Sequence, residues 1–186
     1  VIKAEIDIMR EIGVDIHTGV EVGKDITIEQ LREQGYKGFY VAIGCQGGKV
    51  PGITGETLPG TTTAIDFLHE ANCGNVHVSG NVVVVGGGNV AIDAARVAKR
   101  SGATSVTMLS LETEDIMPAS LEERHEARED GVVINPGWGP KEVLGTDKVS
   151  GIVFKKCTSV FDAEHKFNPE YDDNELITLD ADMVIF

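Results

Sequence analysis

The sequence predicts an α/β chain organised around a doubly wound parallel sheet, and three observations carry that prediction. The run Val82-Val-Val-Val85 is apolar at every position, as a strand covered on both faces must be. Three glycines follow, Gly86 to Gly88, and a helical pattern opens directly after them. From Asn81 onward strand and helix patterns alternate as β-α-β-α-β and then give way to a β excursion, the order expected of a parallel sheet with crossover helices. Composition agrees: the 186 residues include 22 glycines, which suit tight βα turns, and only 5% aromatics.

Taken in order, Ile2, Ile6, Met9 and Ile12 recur at helical spacing and predict a helix over residues 1–12, stopped by Gly13. Val14 to Thr18 alternates and predicts a short strand. Thr27 to Gln34 predicts a short helix capped by Thr27 and ended by Gly35. Gly38 to Ile43 (GFYVAI) predicts a buried strand. Residues 44–63 are rich in Gly and Pro and read as a linker or crossover. Thr63 to Ala71 predicts a helix ended near Cys73-Gly74. Asn81 to Val85 is a strand and Asn89 to Arg100 a helix, with Asn89 placed to cap it and Gly102 at the C′ position. Ser105 to Ser110 is the next strand, Ser120 to Asp130 a charged helix ended by Gly131, and Val132 to Asn135 another strand. Val143 to Ser159 predicts two antiparallel strands around Gly145-Thr-Asp147. Asp162 to Asn174 is polar and reads as a loop. Glu175 to Thr178 and Met183 to Phe186 are the last strands.

A formal net charge of −14 repels phosphate backbones and argues against nucleic acid as a partner. Cys45, Cys73 and Cys157 are odd in number and form no CxxC, which predicts a reduced, cytoplasmic setting and no structural metal. No apolar run approaches the roughly 20 residues of a membrane span, and no signal peptide is visible. The chain opens at Val1 inside a helical pattern and stops at Phe186 inside an apolar run, so it is expected to be part of a longer protein.

The glycines match G-x-G-x-x-A through Gly86, Gly88 and Ala91. Gly86 permits a sharp turn out of the strand, Gly88 lets backbone approach a diphosphate, and Ala91 keeps the helix close to the sheet. Together with Gly87, Asn89 and Val90 they form the candidate dinucleotide turn. The opposing reading is a glycine turn that binds nothing. The residue that reads the adenine ribose belongs at the end of the second strand, about 20 residues beyond the glycines. Leu111 and Glu112 stand there, with no Arg or Lys between Arg100 and Arg124. A carboxylate accepts hydrogen bonds from ribose hydroxyls and repels a 2′-phosphate, so NADH is expected over NADPH. The alternative is that Glu112 is a solvated loop residue.

These residues resemble the pyridine-nucleotide-binding part of the glutamate synthase small-subunit family, flavin-dependent NAD(P)H oxidoreductases with two dinucleotide domains. The resemblance rests on Ala4-Glu-Ile-Asp-Ile8, Val22-Gly-Lys-Asp-Ile26, Tyr40-Val-Ala-Ile-Gly44, Val50-Pro-Gly52, Ala64-Ile-Asp-Phe-Leu68, the glycine motif, Met117-Pro-Ala119 and Ala181-Asp-Met-Val-Ile185. It implies a Rossmann-like NAD(P)-binding domain over residues 51–186, truncated at its C-terminal strand, preceded over 1–50 by a remnant of an FAD-binding domain. It further implies hydride transfer from NAD(P)H to FAD, with electrons passed on to an iron–sulfur centre or partner subunit. FAD would belong to the full-length protein only, and the piece alone is expected to be inactive.

Two departures matter. Where many members carry an Arg pair suited to a 2′-phosphate, this chain has Leu111-Glu112. The segment Gly137-Trp-Gly-Pro140 marks a sub-branch; Gly137 is assigned to the cofactor site, and Trp138 is read either as a packing residue or as part of a loop lining the nicotinamide side of the cleft. No catalytic residue is assigned, the five histidines being scattered. Cys45 is read as a buried, inert thiol, and the carboxylates from Glu112 to Glu129 as a solvated face. The rival reading of another class is a non-catalytic nucleotide-sensing or assembly domain.

Overall fold

The structure is a computed structural model that describes residues 2–186, and the chain divides into two compact units, one ending at Gly44 and one beginning at Cys45. The first unit holds α1 (Ile2–Glu11) and α2 (Ile28–Glu33). Thr27 caps α2 through a full capping box: its hydroxyl accepts from the Gln30 N–H, and the Gln30 side chain accepts from the Thr27 N–H. The strands expected at 14–18 and 38–43 do not form. Both stretches are without a ladder partner among the described residues, and an apolar run becomes a strand only when a neighbour takes its N–H and C=O groups. Far from being buried, Tyr40 is 94% exposed, with Val41 and Ile43 also exposed.

The second unit is built on a five-stranded parallel sheet, order β1-β8-β2-β3-β4. Its strands are β1 (Thr61–Thr62), β2 (Asn81–Val85), β3 (Ser105–Ser110), β4 (Val133–Pro136) and β8 (Met183–Ile185). Helices α3 (Ala64–Asn72), α4 (Asn89–Arg100) and α5 (Leu121–Glu129) pack on one face. The alternation along β2 is direct: Val82 and Val84 join the helix-side core, while Val83 and Val85 belong to the core on the other face. The small residues Ala91, Ala94, Ala95 and Ala98 of α4 are all buried, which brings the helix close to the sheet.

The excursion covers the second face. It is an antiparallel sheet of β5 (Trp138–Gly145), β6 (Val149–Phe161) and β7 (Phe167–Asp180). Trp138, Val143, Ile152 and Phe154 pack there against Val83, Leu109 and Val184. The polar stretch expected as a loop over 162–174 is therefore mostly strand, since β7 starts at Phe167 opposite Phe161 of β6. As an edge strand β7 takes its order from the β6 ladder and stays largely exposed, so it carries no apolar run to announce it.

The chain leaves β2 toward β3 and β4 on one side, then returns through the excursion as β8 on the other. The winding thus reverses at the C-terminal end of β2, the place where open α/β sheets leave a crevice. No helix among the described residues is long and apolar enough to cross a membrane.

Candidate functional site

At that reversal lies a cleft of about 600 Å³ lined by Gly86, Gly87, Leu111, Glu112, Trp138 and Lys155, among others. Gly86 turns the chain at φ +147°, a conformation only glycine adopts without strain. A Cβ built on Gly86 would lie 3.1 Å from Ala91 Cβ, so the strand-to-helix turn is tight at this point. On Gly87 a Cβ would meet the Glu112 carboxylate at 2.5 Å and Ser110 Cβ at 3.0 Å. Gly88 differs: a Cβ there has nothing within 4 Å, and the backbone above it is open.

The expected cap of α4 moves by one residue. Gly88 is the N-cap and makes no side-chain cap bond; Asn89 is already helical. The Asn89 side chain instead accepts from the Ser120 N–H at 3.0 Å, while the Ala119 N–H donates to Gly87 C=O at 2.9 Å. These two bonds strap the Met117-Pro-Ala119 loop to the glycine turn, with Met117 and Ala119 buried. Val90 is exposed and Ala91 buried.

On the β3 side, Ser110 Oγ donates to Glu112 C=O, and the Gly137 N–H donates to the same carbonyl at 2.9 Å. Gly137 therefore fixes the Glu112 backbone, and it is Trp138 next to it that faces the cleft. Trp138 lies in β5 and not in a loop; it is 9% exposed, and Lys156 Nζ sits 4.7 Å from its ring centroid. It both packs and lines the cleft.

The opposite wall comes from the region expected as a loop. Phe167, Pro169 and Tyr171 alternate along β7 and all face the cleft, with Lys155 of β6 beside them. Their spacing of two is a strand signal present in the sequence, hidden by the polar residues between them. Pro51 and Ile53 close the remaining side.

Cys45 is exposed, not buried. Cys157 is the buried thiol, and burial pushes its pKa up. The carboxylates of 112–129 are more than a solvated face. Arg96 binds Asp130 at 2.8 Å and also Glu123 and Glu126, tying α4 to α5. Glu114 takes Arg128 at 2.7 Å and the buried Arg124. No metal-binding cluster occurs among the described residues.

Residues 2–186 match the family model for pyridine nucleotide-disulphide oxidoreductases. The chain belongs to this family. It is 36% identical over 194 aligned residues to the small chain of glutamate synthase [NADPH] from Halomonas elongata, covering 96% of this chain and 41% of the relative. It is 35% identical to the beta subunit of an NADPH-Fe(3+) oxidoreductase from Geobacter sulfurreducens, covering 99% of this chain and 28% of the relative. The chain thus spans less than half the length of these curated relatives. FprA, a Mycobacterium tuberculosis oxidoreductase, shares the fold at a TM-score of 0.76 and 20% identity, over 99% of this chain and 57% of that one. The likeness to the glutamate synthase small subunit seen in the sequence motifs thereby stands.

Proposed function

We propose that this chain is the nicotinamide-dinucleotide-binding portion of a flavin-dependent oxidoreductase. In the whole protein, hydride would pass from NAD(P)H to FAD, and electrons would go on to an iron–sulfur centre or partner subunit. One observation carries the reading: at the reversal point of the sheet, the Gly86–Ala91 turn opens into a cleft and leaves the backbone at Gly88 uncovered. The nicotinamide cofactor supplies the hydride chemistry when bound; the chain's own residues bind and orient it.

In this reading the first turn of α4 offers the N–H groups of Asn89 and Val90, which have no partner within the helix, to the diphosphate. Leu111 and Glu112 meet the adenine ribose, and Gly137 braces Glu112 from behind. Residues 1–50 are the portion of an FAD-binding domain that the family resemblance implies, and FAD belongs to the longer protein. The exposed free thiols of Cys45 and Cys73 suit a reducing, cytoplasmic setting.

Both relatives carry NADPH in their names. This chain's own residues favour NADH: the Glu112 carboxylate lies against the turn, and Leu111 adds no positive charge beside it. Titration with NADH and NADPH, followed through the fluorescence of Trp138, the chain's single tryptophan, tests both levels. Tighter binding of NADH is expected. Tighter NADPH binding overturns the preference alone, and binding of neither overturns the dinucleotide reading.

A further inference from the structure

The cleft poses an electrostatic problem. A dinucleotide diphosphate brings negative charge into a chain of net charge −14, beside the Glu112 carboxylate. The helix N-terminus offsets only about half a unit charge. Among the described residues that line the cleft, one is cationic, Lys155.

Lys155 is held in place before any ligand arrives. Its Nζ lies 4.0 Å from the centroid of the Tyr171 ring and 3.6 Å from Asp173 Oδ1. The Tyr171 ring is itself wedged: at Gly139 a side chain would collide with Tyr171 and Leu111. A register shift explains the neighbourhood. Lys155 faces Leu176 and Lys156 faces Asp172, so residues 173–175 bulge from β7 and set Asp173 beside Lys155. The Asp173 side chain is 77% exposed, and such a surface pair is weak enough to exchange for a stronger anion.

We propose that Lys155 is a binding residue for the dinucleotide diphosphate, and that Asp173 is its resident counter-ion, displaced when the phosphates enter. Lys155 lines the same cleft as Gly86 and Gly87, the residues that lead the chain into the α4 N–H groups assigned to the diphosphate, which is why the bridge common to NADH and NADPH is its target. The inference rests on the dinucleotide reading above.

The test uses the full chain and its Lys155→Met, Lys155→Arg and Asp173→Asn variants, titrated with NADH and NADPH through Trp138 fluorescence. Lys155→Met keeps the apolar stem over Tyr171 and removes the charge. It should weaken both dinucleotides about tenfold, as loss of one charged hydrogen bond does. Lys155→Arg should retain binding, and Asp173→Asn should tighten both ligands about two- to threefold by freeing the cation. Should Lys155→Met fail to fold, Asp173→Asn reads the same contact in the opposite direction. Unchanged binding in Lys155→Met and Asp173→Asn overturns the proposal and leaves the dinucleotide site standing. A loss confined to NADPH also overturns it, since Lys155 would then read the 2′-phosphate. No binding by the unsubstituted chain overturns both readings.

Discussion

In a Gly88→Ala variant the added methyl meets no atom, because nothing lies within 4 Å of an ideal Cβ at that position. The backbone there has φ −92° and ψ 170°, which alanine adopts freely. Alanine lowers the entropy of the unfolded chain, a gain of about 0.4–1 kcal/mol. It is also a poorer N-cap than glycine, a loss of about the same size. The two nearly cancel, so the melting temperature should stay within about 2 °C of the parent. Binding should respond otherwise. In the proposed binding mode the methyl would occupy the space through which a diphosphate reaches the first N–H groups of α4, and each charged hydrogen bond lost costs about 1.5–3 kcal/mol. That corresponds to roughly 10- to 100-fold weaker NADH binding. Thermal melts and Trp138 fluorescence titrations on the same preparation measure both quantities. Parent-like affinity in Gly88→Ala refutes the placement of the diphosphate at this turn. A fall of more than about 5 °C in melting temperature refutes the open space above Gly88.

Three further outcomes are expected. Ile92, fully buried on α4, should cost about 2–5 kcal/mol when cut to alanine, read by urea unfolding; a loss below 1 kcal/mol would mean α4 does not pack on β2 as described. At pH 8 a thiol reagent should label Cys45 and Cys73 but spare Cys157, whose pKa burial raises, until the chain unfolds; mass spectrometry showing rapid labelling of Cys157 in the native chain contradicts its burial. Hydrogen bonds from Arg96 and Arg100 hold the Asp130 carboxyl below its usual 3.8, so its stabilising contribution is fully present above about pH 4 and fades as pH falls through the lower folded value. Asp130→Asn should therefore destabilise the chain at pH 7 and lose that deficit toward pH 2; a pH-independent difference in urea unfolding argues against the ion-pair network.

Where the sequence reads correctly, the relevant forces are local. The Thr27, Thr63 and Ser120 caps each accept a hydrogen bond from a residue three positions on, and all three helices start where those residues stand. The four valines of β2 announce burial on two faces without reference to the partners. Where it misreads, the cause is long-range. Gly38 to Ile43 has the composition of a buried strand but is unpaired among the described residues, and Phe167 to Asn174 has the composition of a loop but is zipped onto β6. Strand formation is a property of a pair, and a single segment records only half of it.

The candidate site divides the same way. The glycine turn, its place between an apolar strand and a helix, and the Leu111-Glu112 pair after the next strand are all legible in the linear chain. All of these lie within one βαβ unit, whose short connections leave little freedom of placement. That the excursion folds back as the far wall of the cleft emerges only in the folded chain. Residues distant in sequence from the turn, Lys155, Phe167 and Tyr171, meet it there through a sheet packed on the second face. Their positions depend on a bulge in β7 and on the docking of two sheets. Such geometry is set by packing between segments: the spacing of two at Phe167, Pro169 and Tyr171 marks a strand but carries no record of what that strand faces.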